Sequence, residues 1–328
     1  MAITAPFRFL ESSAPNSPRL KITDEMLLKI LTYHHVTPYF LNHISHICHE
    51  PPSGINEAPF GEFQSLKSFS SSQSPSSKAL DRSGLQYQLV FELKTVINPS
   101  GSDDGATVVT SSDELDIWPI TQCAIYHRFD VLNGKSLWIL TPPVGESASS
   151  PWNKSKTATD LLSNFGASST PTSPTQCFTT TLAIVTWLAD WSLSEYDLYL
   201  ATLEERIQII SLPFMTFDSK DLARVDEMSI KLYSMCMEVL DQCIVALESN
   251  LKTLRQIIRF YCDDLMRDRH FLSLGLEWIS GDDGDEVRDR VEQFRIDISS
   301  VCNSIEEMII LAGAVKRIGS RRESTVSI

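Results

Sequence analysis

The chain has 328 residues, of which 42% are hydrophobic and 21% are charged, a balance that is typical of a globular protein with a sizeable core. Its 42 acidic residues outnumber its 28 basic residues, which gives a formal net charge of -14 at pH 7. A charge of this sign repels phosphate backbones, so the composition argues against nucleic acid as a partner.

Cysteine usage and hydropathy favour a cytoplasmic location. The 7 cysteines are scattered, odd in number and without CxxC spacing, which argues against a disulfide framework and against a zinc ribbon. No charged segment followed by an apolar run opens the chain, so we expect no secretory signal. The longest apolar-rich stretches, 182–193 and 308–315, are shorter than the ~20 residues that a membrane span needs. We therefore predict no span in this chain.

The first third of the chain predicts two helices followed by strands. Thr23 is placed to cap a first helix, and Pro38 is placed to begin a second. After the Ser-rich segment 68–84, the sequence LQYQLVFELKTVI (85–97) alternates between apolar and other residues, as strands do. A polar insert at 98–114 separates this strand from the next.

The stretch QCAIYHRFDVLNGKSLWIL (122–140) predicts a β-hairpin. Apolar and polar residues alternate on both sides of Asn133-Gly134, and Asn-Gly is the strongest short hairpin signal, because both central residues of a type I′ turn need positive φ. We predict antiparallel strands at 122–131 and 135–141.

The same stretch places Cys123, His127 and Asp130 close together in sequence, as a catalytic site would. In a strand, however, Cys123 and His127 lie on one face, about 13 Å apart at ~3.3 Å per residue, and Asp130 lies on the other. A nucleophile needs its base within hydrogen-bonding distance. We therefore predict that His127 is structural.

Composition divides the chain into segments. We predict an N-terminal α/β domain at 1–145, a low-complexity linker at 146–176, a long-helix domain at 177–320 and a tail at 321–328. The Ser, Thr and Pro content of the linker cannot support a packed core. The predicted fold class is α+β, with antiparallel strands followed by a long-helix bundle.

The C-terminal half shows helical periodicity. It predicts helix at 177–210, a break at 211–221, one helix of some fifty residues at 221–273, about 75 Å long, and a return helix at 286–318. Residues 281–285 (GDDGD) are predicted to form the turn before the return helix.

Several stretches, in the same order, resemble the cytoplasmic part of the CorA-like divalent-cation transporter proteins of filamentous fungi. They are ITDEMLLKILTYHHVTPYFLNHI, LQYQLVFELKTV, QCAIYHRFDVLNGKSLWIL, WLADWSLSEYDLYLATLEERI and LESNLKTLRQIIRFYCDDL. The resemblance implies a cytosolic α/β domain followed by long helices that lead to the membrane. In that family the last helix enters the bilayer, and a Gly-Met-Asn-like loop at the pore mouth selects hydrated magnesium.

This chain departs from the family pattern, because it contains no Gly-Met-Asn and ends at GSRRESTVSI before any predicted span. We therefore expect a cytosolic regulatory or structural domain of a CorA-like metal-ion transporter protein that cannot transport alone. The alternative is a soluble helical interaction or scaffold protein derived from that family. Either function implies self-association or a helical protein partner, in the cytoplasm or at the cytoplasmic face of a membrane.

Two groups of acids are candidate metal ligands, because carboxylate oxygens suit hard cations such as Mg²⁺. The first group is Asp282, Asp283, Asp285 and Glu286, for which the alternative is a solvated turn. The second is Asp263 and Asp264, which end a predicted helix. Negative charge is unfavourable there and indicates an ion or a basic partner nearby. We expect no certain cofactor, with Mg²⁺ as a candidate weak regulatory ion.

Two other kinds of site are disfavoured. His43, His46, Cys48 and His49 offer zinc ligand types, but they lie on different helix faces and have no matching second pair. The motifs GxxxxGK[ST], GxGxxG, HExxH and GxSxG are absent from the sequence. We therefore predict that the protein is not an enzyme.

Overall fold

The computed structural model describes residues 7–9, 22–48, 63–69, 83–98, 118–141, 173–216, 227–274 and 282–326. In these ranges the strands are β1 (Phe7–Phe9), β2 (Gln64–Ser68), β3 (Gln86–Val96), β4 (Ile120–Asp130) and β5 (Lys135–Thr141). The helices are α1 (Asp24–His34), α2 (Tyr39–Cys48), α3 (Pro174–Leu193), α4 (Tyr196–Thr216), α5 (Glu227–Ile258), a π-helical segment (Arg259–Leu265), α6 (Arg269–Leu274) and α7 (Asp282–Val326). The predicted α+β class, with long helices after an antiparallel sheet, is confirmed.

The strands form one sheet in the order β1-β5-β4-β3-β2. Strand β1 runs parallel to β5, and the other pairs are antiparallel. The longest pairing joins β3 to β4 and runs from Gln86 opposite Asp130 to Val96 opposite Ile120. The predicted strand at 85–97 and the predicted hairpin strands are confirmed.

The turn of the hairpin differs from the predicted type I′ turn. Of its two central residues only Gly134 has a positive φ, of 58°. Four residues, 131–134, connect the strands, since Asp130 pairs directly with Lys135. The Asp130 Oδ1 atom accepts a hydrogen bond from the backbone N–H of Asn133 at 3.0 Å. This contact satisfies one N–H of the turn, and of Asn133 and Gly134 only Gly134 adopts the left-handed conformation.

Both faces of the sheet are covered. One face packs against the long helices through alternate β3 residues: Tyr87, Leu89, Phe91 and Leu93. The opposite face packs against α1 and α2, where Leu31, Phe40 and Ile44 meet side chains of the three central strands. Because a strand alternates its side chains, the same strands supply both cores.

The predicted helix at 177–210 is two helices. Ser173 caps α3, with its side chain accepting a hydrogen bond from the backbone N–H of Gln176 at 3.1 Å. Helix α3 ends at Leu193, α4 begins at Tyr196, and α4 continues to Thr216. Residues 211–216 are therefore helical where a break was predicted, and 217–221 lie outside the described residues.

The predicted helix at 221–273 is interrupted. Helix α5 passes into the π-helical segment, which ends at Leu265. The Asp268 Oδ1 atom then accepts hydrogen bonds from the backbone N–H groups of His270, at 2.9 Å, and Phe271, at 3.3 Å. Asp268 therefore caps the short helix α6 and stops the long helix.

Helix α7 returns antiparallel to α5. Arg255 pairs with Glu306, and Asp241 pairs with Lys316. Residue numbers therefore increase along one helix as they decrease along the other. Helix α7 begins at Asp282, so residues 282–285 form its first turn, where the sequence predicted a turn before the helix. Acids are favourable at this end, because the helix dipole is positive there.

One segment of α7 is long enough to cross a membrane. By length and composition Gly284–Arg317 meets the requirement, with a mean hydropathy of 1.4 in its most apolar window, of which 39% is buried by the chain. The sequence prediction counted only uninterrupted apolar runs and therefore missed it. Core helices of soluble proteins can meet the same requirement, so this finding alone does not show a span.

A single hydrophobic core connects the sheet to the long helices, since buried residues of β3, β4, α3, α5 and α7 belong to one cluster. Asn250 of α5 also joins the two parts. Its side chain accepts a hydrogen bond from the backbone N–H of Lys94 at 2.8 Å and donates one to the Lys94 carbonyl at 2.7 Å. Most of the predicted linker at 146–176 lies outside the described residues, so the predicted domain division stays a prediction.

Candidate functional site

An acidic groove lies where the junction of α3 and α4 meets α7, and we call it the α3–α4–α7 groove. Its volume is about 540 Å³. Leu193, Val301 and Met308 supply its apolar lining. Its polar lining consists of Thr186, Asp190, Ser194, Asp197, Asp297, Ser300 and Ser304. None of these lining residues is basic.

Like charges face each other in this groove. Partial burial raises the pKa of Asp190, and the negative charge of Asp297 raises it further. The two carboxylates come from different helices, so their repulsion opposes the packing of α3 against α7. A proton or a cation between them would relieve that repulsion.

Hydroxyl oxygens complete the polar lining. The Thr186, Ser194 and Ser304 hydroxyls donate their protons to backbone carbonyls of their own helices, at 3.2, 3.0 and 3.3 Å. Their lone pairs stay available to accept hydrogen bonds or to coordinate an ion. Oxygen atoms from carboxylates and hydroxyls are the ligand types that hard cations prefer. The groove therefore offers the oxygen ligands and the negative charge that favour binding of a cation.

The acids predicted near residue 284 lie in the first turn of α7. The Asp285 carboxylate pairs with Arg288 at 3.3 Å. Glu286 is exposed, and the side chains of Asp282 and Asp283 lie outside the described residues. The prediction that this group binds a divalent ion therefore stays a prediction.

The other predicted pair, Asp263 and Asp264, lies in the π-helical segment. Asp263 pairs with Arg267 at 2.9 Å, and Asp264 lies 4.0 Å from Arg259. The basic partners inferred from the sequence are thus provided by the chain itself. Within the described ranges no three His, Cys, Asp or Glu side chains are grouped closely enough to hold a metal ion.

His127 lies in the core. It is fully buried, its Nε2 atom is hydrogen-bonded to the Ser136 hydroxyl at 2.9 Å, and its ring stacks on Trp138 with centroids 4.1 Å apart. Burial, together with the positive charge of the neighbouring Arg128, lowers the pKa of His127 to about 3. A neutral imidazole enclosed in this way cannot exchange protons with a substrate.

The described cysteine thiols are also unsuited to nucleophilic chemistry. Burial raises the pKa of Cys177 and of Cys243 to about 12, and that of the half-buried Cys262 to about 11. The thiolate is the reactive form, so these groups are inert near neutral pH.

A second ionic cluster lies beneath α2. His43 Nδ1 is 3.2 Å from Glu92 Oε2, and Lys94 Nζ is 3.9 Å from Glu92 Oε1, with all three side chains buried. Burial lowers the pKa of Lys94, an effect that Glu92 opposes. His43 is therefore engaged with a carboxylate. The other residues considered for zinc cannot be placed beside it, because the side chains of His46 and Cys48, and all of His49, lie outside the described part of the chain.

Sequence reasoning missed the groove because its acids are distant in sequence. Asp190 and Asp197 are seven residues apart, but Asp297 lies on another helix. The seven-residue spacing was the only local signal, and it is common on solvated helix surfaces.

Comparison with known proteins identified one family. A sequence model of the family described as CorA-like transporters matches residues 5–213 of this chain. The search of curated proteins found no match. Among solved structures, the cytoplasmic domain of ZntB from Vibrio parahaemolyticus aligns with 91% of this chain and 89% of its own length, at 10% sequence identity and a TM-score of 0.36.

Proposed function

Because the chain belongs to the family of CorA-like transporters, we propose that it is a cytosolic regulatory and structural domain of a metal-ion transporter and does not transport ions by itself. The family match over residues 5–213 carries this proposal. Helices α5 and α7 support it, because they pack as a long antiparallel pair, through which a change in the position of one helix would reach the other.

Regulation by a divalent cation, with Mg²⁺ as the candidate, is the second part of the proposal. The α3–α4–α7 groove supports this part, since a cation between Asp190 and Asp297 would remove a repulsion between two helices. The first turn of α7, with Asp285 and Glu286, is an alternative position. Binding at either place would be weak, with Kd near 1 mM, as expected for an open site with few ligands.

Thermal unfolding with Mg²⁺ tests this proposal. A ligand at ten times its Kd stabilises the folded state by about 1.4 kcal/mol, which corresponds to a rise in Tm of about 2 to 6 °C. We expect this rise at 10 mM MgCl₂, compared with NaCl of equal ionic strength. The double variant Asp190→Asn, Asp297→Asn should lose it.

Asp289→Asn is the matched control, because it removes one exposed charge from α7 eight residues away from Asp297. Asp285→Asn tests the alternative position. A rise in Tm that survives in the groove variant but not in Asp285→Asn would move the site to the first turn of α7. Equal effects of MgCl₂ and NaCl on every variant would refute divalent regulation.

The alternative function is a helical interaction protein. Leu198 and Ile209 favour it, because both are more than half exposed and lie eleven residues apart on one line of α4. Sedimentation analysis of the chain, alone and with Leu198→Ser, distinguishes the two functions. Self-association that depends on Leu198 and is insensitive to Mg²⁺ would favour the interaction protein.

A further inference from the structure

One line of exposed residues runs along the outer side of α7. It repeats every seven residues and consists of Asp289, Ile296, Asn303, Ile310 and Arg317, which we call the α7 stripe. Ile296 is 54% exposed, Ile310 is 66% exposed, and the other three residues are exposed as well. Because seven residues make almost two turns of an α-helix, the line drifts by only about 20° per repeat. The five side chains therefore lie on one side of the helix.

The α7 stripe lies opposite the face that the helix buries in its own chain. Each of its first four positions is followed two residues later by a buried apolar residue: Val291, Ile298, Ile305 and Ala312. Two residues correspond to about 200° around an α-helix. The core is therefore complete on one side of α7, while two isoleucines remain exposed on the other. Exposed apolar side chains that lie in line on one helix face indicate a further contact.

The α7 stripe is complementary to itself. Its residues are, in order, an acid, an isoleucine, an asparagine, an isoleucine and a base. Positions 289 and 317 are equally distant from Asn303, and so are positions 296 and 310. A second α7 that runs in the opposite direction and is centred on Asn303 therefore places acid opposite arginine, isoleucine opposite isoleucine, and asparagine opposite asparagine. Two parallel copies in register would place like charges opposite each other, which is unfavourable.

We propose that the α7 stripe is a contact between two copies of this chain, which pack α7 against α7 in antiparallel orientation around a two-fold axis at Asn303. A two-fold contact uses the same surface on both copies, and a self-complementary stripe provides such a surface. Apolar residues at heptad spacing are typical of the seam between two paired helices, and a polar asparagine at one seam position fixes the register. The occupant of this face is therefore a second copy of the chain.

The contact is small, so the dimer is weak and reversible. From position 289 to position 317 the stripe is about 42 Å long, and a helix is about 10 Å wide, so each copy buries roughly 400 Å². A stable complex buries about 800 Å² on each partner. We therefore expect a dissociation constant of about 10 to 100 µM. This inference goes beyond the proposed function and does not depend on cation binding in the groove.

Disulfide cross-linking of the full chain in EDTA tests the orientation of the two copies. Asp289→Cys and Arg317→Cys are purified separately, and each is oxidised alone and in an equal mixture. We expect a cross-linked dimer in the mixture and little in either variant alone, because antiparallel copies bring position 289 of one chain to position 317 of the other. Cross-linking of each variant with itself would show a parallel contact and overturn the inference. Wild type is the control for the native cysteines, of which those described are buried or half-buried.

Sedimentation equilibrium measures the affinity of the two copies. Arg317→Asp places two acids opposite each other at both ends of the contact, so we expect the dissociation constant to rise at least tenfold. The double variant Asp289→Arg, Arg317→Asp exchanges the charges and should restore association. Ile310→Ser should weaken association, because it removes an apolar contact from both halves of the dimer. Arg290→Asp reverses an exposed charge outside the stripe, and as the matched control it should associate as wild type does.

Three results would overturn the inference, provided that circular dichroism shows each variant to be folded. They are a wild-type chain that stays monomeric throughout the expected concentration range, a charge-exchanged variant that does not associate, and association that is lost in Leu198→Ser but kept in Ile310→Ser. The last result would place the interface on α4. EDTA removes divalent ions, so failure here is distinct from failure of the Mg²⁺ experiments. Those experiments use dilute, monomeric protein, so Asp289→Asn remains a control for charge alone.

Discussion

Replacing His127 with glutamine should make the stability of the protein less sensitive to acid. His127 is fully buried between Trp138, on which it stacks, and the Ser136 hydroxyl. Burial, assisted by Arg128, lowers its pKa from an ordinary value of 6.5 to about 3 in the folded state. The unfolded chain therefore binds a proton at this residue more readily than the folded chain does.

The direction of the effect follows from linkage. A histidine whose folded pKa is lowered contributes stability that is complete above its unfolded pKa and is lost as pH falls towards the folded pKa. From these two pKa values, the loss is about 2 kcal/mol at pH 5 and about 4 kcal/mol near pH 3. Glutamine does not titrate, so His127→Gln lacks this component, although its stability at pH 7.5 is lower.

Urea unfolding of both proteins at several pH values between 7.5 and 4.5 measures the difference. We expect wild type to lose about 2 kcal/mol more than His127→Gln between pH 7.5 and pH 5. The exposed His270→Gln is the control and should follow the wild-type profile. Parallel profiles for wild type and His127→Gln would show that His127 protonates without unfolding, and the structural role argued for it would be wrong.

Three further changes test the packing and the groove. Asn250→Ala should destabilise the fold by about 2 to 4 kcal/mol in urea unfolding, because it leaves two buried backbone groups of β3 unpaired. The control Thr253→Val, one turn along the same helix, should lower the free energy of unfolding by less than about 1 kcal/mol. Similar costs for both would contradict the bridging role. Gly134→Ala should lower stability by about 2 kcal/mol or more, since alanine is strained at positive φ and its Cβ would lie 2.4 Å from the Cα of the first residue of α3; an unchanged Tm would refute this. Asp190→Asn should stabilise the fold near neutral pH, because a raised carboxyl pKa penalises folding above that pKa, and the gain should fade as pH falls towards 4. A pH-independent gain, or one equal to that of Asp289→Asn, would contradict the repulsion.

The central strands were predictable because their side chains alternate between two faces of the sheet, and this alternation is visible in the sequence. Residues 86–96 alternate so that Tyr87, Leu89 and Phe91 lie on one face of the strand, the face that packs against the long helices. The type of turn was not predictable from Asn-Gly alone, because the Asp130 side chain competes for the turn N–H of Asn133. Such side-chain contacts depend on local geometry that the residue types do not specify.

The sequence predicted that long helices form in the C-terminal half, but it predicted their first and last residues less well. Apolar periodicity is continuous through 221–273, and a single carboxylate, Asp268, ends the helix inside that pattern. The groove could not be predicted, because Asp190 and Asp297 come together only when α3 packs on α7. Such a site is hard to predict because its residues are far apart in the sequence, and not because they interact weakly.

The π-helical segment makes this part of the chain sensitive to its number of residues. A π-turn contains about one residue more than an α-turn, and that extra residue lets Phe260 and Tyr261 both reach Tyr87, at ring distances of 5.3 and 6.0 Å. Deleting one residue from the regular helix α5 just before it would rotate everything after it by about 100° relative to α5, a change that only the removal or addition of a π-turn could absorb. The Lys67 contact with the Asp264 carbonyl and the Asp268 carboxylate would then be out of phase, so the edge strand β2 would lose its attachment. Natural variation in length at this point should therefore be accompanied by loss or redesign of β2.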